Sequence, residues 1–223
     1  MNFHRNWKTK IFGVLLATLV VGLLISGPGW AKRTIKVGHV LAPTHPYQIG
    51  LEKFGKMLEE RTDGQIEVDV FHSAQLGGER EMIEALQMGT LDMALVSTAP
   101  LSGFTDSFLV YNLPYIFQDR DGAYKVLDGE IGTSMLESLK NNRLIGLCYW
   151  ENGFRNVTNS VRPIKKPEDM KGLKIRTMEN KIHMASFDTI GADATPMSFG
   201  ELFTALQQGT MDAQENPLPI IYT

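Results

Sequence analysis

One cysteine, Cys148, is the whole thiol content of the 223 residues. A lone thiol excludes an internal disulfide framework and any multi-cysteine metal site. A surplus of one charge is also lacking. Twenty-two basic residues face 25 acidic ones, a formal net of −3, and no long Lys/Arg run follows residue 40. The basic footprint of a nucleic-acid binder is therefore absent. Catalytic signatures are missing too: G-x-S-x-G, H-E-x-x-H, the P-loop and G-x-G-x-x-G do not occur. His39, His45, His72 and His183 show no metal-ligand spacing, so neither a metal nor a cofactor is expected. What is present, 43% hydrophobic and 21% charged residues, describes a globular chain. A disordered tail, a collagen-like fibre and a multi-span membrane protein are excluded.

The first 31 residues form a separate unit. Arg5, Lys8 and Lys10 precede an uncharged stretch, IFGVLLATLVVGLLISG at 11–27, and Gly29 and Ala31 supply small residues after it. This order is that of a secretory leader cut after residue 31. Residues 1–31 are thus read as a signal peptide and 32–223 as the mature chain, placed in the periplasm. The uncleaved alternative is a membrane anchor, which seventeen apolar residues approach in length. A secreted chain with one thiol makes no internal bridge.

Beyond the leader, strand and helix patterns alternate. Strands are expected at 35–40, 65–71, 92–97, 143–149 and 173–177. Helices are expected at 47–62, 79–88, 180–190 and 198–208, with two more inside 119–141. Cys148 lies in the expected strand at 143–149, in the apolar run L-I-G-L-C-Y, where a buried, inert thiol is anticipated. The alternation predicts an α/β fold with largely parallel pairing.

An internal repeat organises this pattern. EMIEALQMGTLD at 81–92 and ELFTALQQGTMD at 201–212 agree at seven of twelve positions. The plainer reading is chance resemblance between two amphipathic helices with glycine stops, which are common. The run A-L-Q-x-G-T-x-D favours two similar α/β lobes, 32–143 and 144–223, with a hinge strand near 211–217. Two lobes enclose a cleft, and clefts between lobes take small ligands. The expected architecture is two-lobed, in the manner of periplasmic binding proteins.

The residues at strand ends suggest the cleft's occupant. Arg155 follows W-E-N-G-F, and Arg176 ends K-I-R. A guanidinium fork accepts a carboxylate through two parallel hydrogen bonds. Asn216, in Q-E-N-P, offers an amide, and Trp150 and Phe199 offer flat apolar walls. The picture is an anion site with an apolar lining, suited to a small organic acid. Each residue has a plainer reading: Arg155 pairing with Glu151, Asn216 as a turn residue, Trp150 and Phe199 as core, and Glu79 as a first-turn helix acid.

Several stretches together carry a family resemblance: S-A-Q-L-G-G-E-R-E-M at 73–82, A-L-Q-M-G-T-L-D at 85–92, N-L-P-Y-I-F at 112–117, W-E-N-G-F-R at 150–155, P-E-D-M-K-G-L-K-I-R at 167–176 and the segment 196–217. In this order they resemble the solute receptors of TRAP transporters, the tripartite systems for organic acids. The resemblance implies two lobes that close around a ligand and pass it to a TRAP-type membrane permease. It implies that Arg176 is the main carboxylate clamp, Arg155 a second anion contact and Asn216 a contact to acid or hydroxyl groups. Glu79, Trp150 and Phe199 would line the pocket. Such receptors continue past the Q-E-N-P stretch, so the second lobe is expected to be incomplete here. A secreted enzyme acting on small acids, and an inactive or sensory receptor fragment, are the alternatives. Oligomeric state is left open.

Overall fold

The computed structural model describes residues 32–223; the expected leader lies outside them. Strand β1 (Arg33–Gly38) is the middle of a three-stranded parallel sheet, with β2 (Ile66–Phe71) on one side and β3 (Met93–Ala94) on the other. Parallel neighbours need a crossover. Helix α1 (Pro46–Arg61) joins β1 to β2, and α2 (Glu79–Met88) joins β2 to β3. The start of α1 is fixed by Pro46 in the first turn and by the His45 side chain, which accepts from the Tyr47 N–H. Short helices follow at α3 (Thr98–Leu101), α4 (Arg120–Leu127) and α5 (Glu130–Ser138).

A second sheet holds four strands in the order β4-β7-β5-β6. They are β4 (Arg155–Asn159), β5 (Lys174–Thr177), β6 (Asp193–Pro196) and β7 (Ala213–Pro217). Helix α6 (Lys181–Thr189) links β5 to β6, and α7 (Phe199–Gln207) links β6 to β7. A last short helix, α8 (Leu218–Tyr222), follows β7. Pairing is parallel throughout the first sheet and between β5 and its neighbours, while β4 runs antiparallel to β7.

The sequence repeat is a repeated structural unit with an identifiable cause. Gly89 and Gly209 end their helices at φ 72° and 70°, the left-handed conformation that glycine adopts without strain. Thr90 and Thr210 each donate a hydroxyl back to a helix carbonyl, at Ala85 and Ala205. Asp92 and Asp212 then accept from the backbone N–H of Lys36 and Lys174, at 3.0 and 2.9 Å. Each aspartate thus ties the chain leaving a helix to an internal strand of its sheet, β1 or β5.

Three apolar clusters support these layers. Met82 and Leu91 pack with Val40 and Leu41 against the first sheet. Ile83, Leu101, Phe108, Leu139 and Leu144 form a second cluster among the helices. Leu173, Ile175, Ala192 and Ala213 form the third, under the second sheet. The first cluster also receives Phe199 and Ile220 from the later half of the chain. Asn180 donates to the Ala99 carbonyl at 3.1 Å and to Ser102 Oγ at 2.9 Å, so the two halves are in direct contact.

Two expectations fail. Residues 143–149 form no strand, and the strand at 92–97 shrinks to Met93–Ala94. A strand exists only with a partner, and the edge offered by β3 is two residues long. Leu144 is buried while Ile145 and Leu147 stand 77% and 65% exposed, so only one side of the segment is covered. Cys148, expected inside that strand, is exposed for the same reason. Among the described residues no helix is long and apolar enough to cross a membrane.

Candidate functional site

Strand β5 has neighbours on both sides and carries Arg176 in register with Gln214 of β7. The guanidinium is almost completely buried, with 2% of the residue exposed. Its Nε donates to the Met197 carbonyl at 2.8 Å, and Nη1 has no hydrogen-bond partner. Loss of water pushes its pKa down to about 10, with the nearby Glu215 carboxylate pulling the other way. It therefore stays charged at neutral pH. The Phe199 ring lies beneath it, 5.9 Å from Cζ to centroid, within cation–π range.

Arg155 begins β4, beside β7. Its Nε and Nη2 grip the two carboxylate oxygens of Glu215, the Nη2 contact being 3.0 Å. The same Nη2 donates to the Glu215 carbonyl at 2.7 Å and to Asn216 Oδ1 at 2.9 Å. The partner is therefore Glu215 rather than Glu151, which pairs with Arg120 instead. Asn216 is also engaged: its Nδ2 donates to Gln214 Oε1 at 2.6 Å, and Gln214 donates onward to Thr158 Oγ1 at 2.6 Å. All five residues of β7 are buried, and this network is how Gln214, Glu215 and Asn216 meet the requirement that buried polar groups be hydrogen-bonded.

His183 stands in the first turn of α6, positioned by Asn180, whose side-chain oxygen accepts from the Ile182 and His183 N–H groups. Its Nδ1 lies 3.8 Å from Glu215 Oε1 and makes no hydrogen bond. Burial pushes its pKa down to about 4; Glu215 opposes this, and Arg155 and Arg176 reinforce it. The ring is neutral at physiological pH.

Glu79 opens α2 and comes from the other half of the chain. Its Oε1 accepts from the Ser97 N–H at 2.6 Å. Burial raises its pKa, while the Ser97 bonds and the charges of Arg176 and Arg155 oppose that rise. Ser97 Oγ is met by Asn152 Nδ2 at 3.2 Å, and Asn152 Oδ1 is buried without a partner. Trp150 packs on Tyr47, ring centroids 5.8 Å apart, and over Gly50, where an added Cβ would sit 2.7 Å from the indole. Tyr47 in turn donates to the Glu151 carbonyl at 2.8 Å.

The structure thus gathers Arg176, Arg155, Asn216, Glu79 and Phe199 into one electrostatic neighbourhood where the halves meet. Trp150 belongs to a neighbouring aromatic group with Tyr47. Reading residues singly overlooked Glu215 and His183. The signal for Glu215 was a run of three polar residues inside a strand that the repeat places centrally. An apolar cavity of about 470 Å³ lies elsewhere, lined by Val110, Tyr111, Phe117, Val126 and Ile131 among others.

A guanidinium with an unpartnered nitrogen, buried between two α/β halves, makes comparison with known proteins informative. The family description "Bacterial extracellular solute-binding protein, family 7" matches residues 37–223. The chain belongs to this family. A solute-binding protein of Verminephrobacter eiseniae is 42% identical over 191 residues, 86% of this chain and 57% of its own length. Among solved structures, the sugar acid binding protein DctPAm of Advenella mimigardefordensis, in complex with galactonate, superposes with a TM-score of 0.84 at 41% identity, over 86% of this chain and 62% of that one. A TRAP periplasmic solute-binding protein of Polaromonas, bound to D-erythronate, gives 0.82 at 46% identity, over 85% and 62%. The chain therefore spans about three fifths of the length of these family members. Their architecture agrees with the two-lobed α/β fold expected from the sequence.

Proposed function

We propose that this protein is an extracytoplasmic receptor that captures a small organic acid in the periplasm and delivers it to a TRAP-type membrane permease. It acts without turning the acid over. The observation that carries this reading is Arg176: a charged group, buried, with Nη1 unpartnered. A buried cation with an unpartnered donor is costly, and an incoming carboxylate would relieve the cost. In this reading residues 32–143 and 144–223 are the two lobes, and β7 belongs to the hinge. Arg155, Asn216, Glu79, Phe199 and Trp150 complete the surroundings of the ligand. The galactonate and D-erythronate held by the two solved relatives are acids of the size this reading requires. Residues 1–31 act as the cleaved leader.

Isothermal titration calorimetry of the purified protein against a panel of organic acids, with NMR of the recovered ligand, tests the proposal. Saturable binding of at least one acid, returned unchanged, is the expected result. Silence across the panel, or conversion of the acid, would overturn it.

A further inference from the structure

The two halves come close to one another at a glycine beside the site. Gly78 is buried and stands at the N-cap of α2, directly before Glu79. Its backbone lies at φ −71° and ψ 179°, a conformation open to any L-residue. No turn or left-handed angle therefore calls for glycine here. The surroundings do. A Cβ at position 78 would stand 2.6 Å from Glu81 Oε2 and 2.7 Å from Ser198 Oγ, with Ser198 Cβ at 3.6 Å. Glu81 is exposed, so its carboxylate can swing out into water. Ser198 belongs to the other half and sits on the backbone that opens α7. Anything larger than a methyl at 78 would meet its Cβ, which no side-chain rotation moves.

The neighbours of these two residues are the site itself. Gly78 leads into Glu79. Ser198 stands between Met197, whose carbonyl accepts from Arg176 Nε, and Phe199, whose ring lies beneath that guanidinium. The gap between residues 78 and 198 therefore sets how near the Glu79 chain comes to the Arg176 chain. Glu79 feels the charges of Arg176 and Arg155, an attraction that weakens with separation. The seam is not equally tight along its length. A Cβ added at Gly200 would meet only Ala74, at 3.6 Å, an ordinary contact. The Ser198 side chain makes no capping hydrogen bond, so α7 does not depend on its hydroxyl.

We propose that Gly78 and Ser198 are positioning residues for the site: the missing side chain at 78 lets the halves come together far enough for Glu79 and Arg176 to serve one ligand. This rests on the receptor reading and goes beyond it. The two residues act by setting the gap between the halves, not by touching the ligand.

Gly78→Val, Ser198→Gly and the double variant test this as a cycle. Titration calorimetry reads each against the tightest binder of the acid panel, beginning with galactonate and D-erythronate. Valine suits the extended backbone at 78 and directs its methyl groups into the seam. Gly78→Val should weaken binding at least tenfold. Ser198→Gly, acceptable at an N-cap, should alone stay within threefold of the parent. The double variant should bind at least threefold more tightly than Gly78→Val. A cost confined to α2, such as a poorer cap, would be the same with either residue at 198 and would not be recovered. Gly200→Ala, placed where the seam has room, should bind within threefold of the parent. Undiminished binding by Gly78→Val, a loss that Ser198→Gly leaves untouched, or an equal loss in Gly200→Ala overturns the proposal and spares the receptor reading. Silence of the parent toward every acid overturns both. Where Gly78→Val does not fold, Gly78→Ala decides, by a threefold loss that the same change at 198 recovers.

Discussion

Replacing Arg176 by methionine keeps most of the side-chain length and removes the charge. With its pKa pushed from 12.5 down to about 10 by burial, the charged form sits roughly 3 kcal/mol uphill in the folded chain. Arg176→Met relieves that cost. It also forfeits the bond from Nε to the Met197 carbonyl, worth about 1.5–3 kcal/mol for a charged donor. The Phe199 contact is lost as well, at about 0.5–2 kcal/mol. These terms largely cancel, so the unliganded variant should lie within about 2 kcal/mol of the parent, a Tm change of no more than roughly 4–8 °C. Acid binding should behave quite differently. Leaving a ligand carboxylate desolvated and unpaired costs about 2–5 kcal/mol, which raises Kd by roughly 30- to 4000-fold. Thermal unfolding without ligand, beside calorimetry with it, reads both quantities. A Tm that drops by about 10 °C or more with unaltered affinity would refute the reasoning, since Arg176 would then be a structural residue and not a clamp.

Stability should fall on acidification. His183 has a folded pKa of about 4 against an ordinary 6.5, so its contribution is complete above pH 6.5. It is lost between 6.5 and 4, where only the unfolded chain takes up the proton, by on the order of 3 kcal/mol. The parent's advantage over His183→Gln in urea-unfolding free energy should fall by that amount as the pH drops through this window, and a pH-independent difference would contradict the assignment. Asn180→Ala removes the α6 cap and the bonds to Ala99 and Ser102. A loss of about 1–3 kcal/mol is expected, and a neutral outcome in chemical denaturation would count against a bridging role. Gly50→Ala places a methyl 2.7 Å from the Trp150 ring, so the indole must move. Trp150 is the one tryptophan of residues 32–223, and its emission maximum should shift; an unchanged spectrum would mean the helix yields instead.

Much of this arrangement is legible in the sequence because it rests on local rules. Glycine stops after α2 and α7, Pro46 at the start of α1 and the period of apolar residues fixed the helices to within a residue or two. The aspartates of the repeat marked where a strand follows each helix, β3 after Asp92 and β7 after Asp212. Arg176 is singled out by its position at a strand end, which needs only the strand. Glu215 was not found, because its role depends on β4 meeting β7 across about sixty intervening residues, and no local period records that pairing. The failed strand at 143–149 has the same origin. An apolar run states that a segment wants cover, whereas strand formation also requires an edge with open donors and acceptors.

Phe199 carries a thermodynamic consequence. Its ring serves Arg176 on one side and the Val40, Leu41, Met82 and Leu91 cluster on the other. If the halves part to admit a solute, as the receptor reading has it, this aromatic must leave its apolar seat, at roughly 1–2 kcal/mol for a partly covered ring. That is a bias of about tenfold toward the shut arrangement before any solute arrives. On the receptor reading, a smaller residue at 199 would weaken this latch, so one ring would both line the solute's seat and set how often the door stands open.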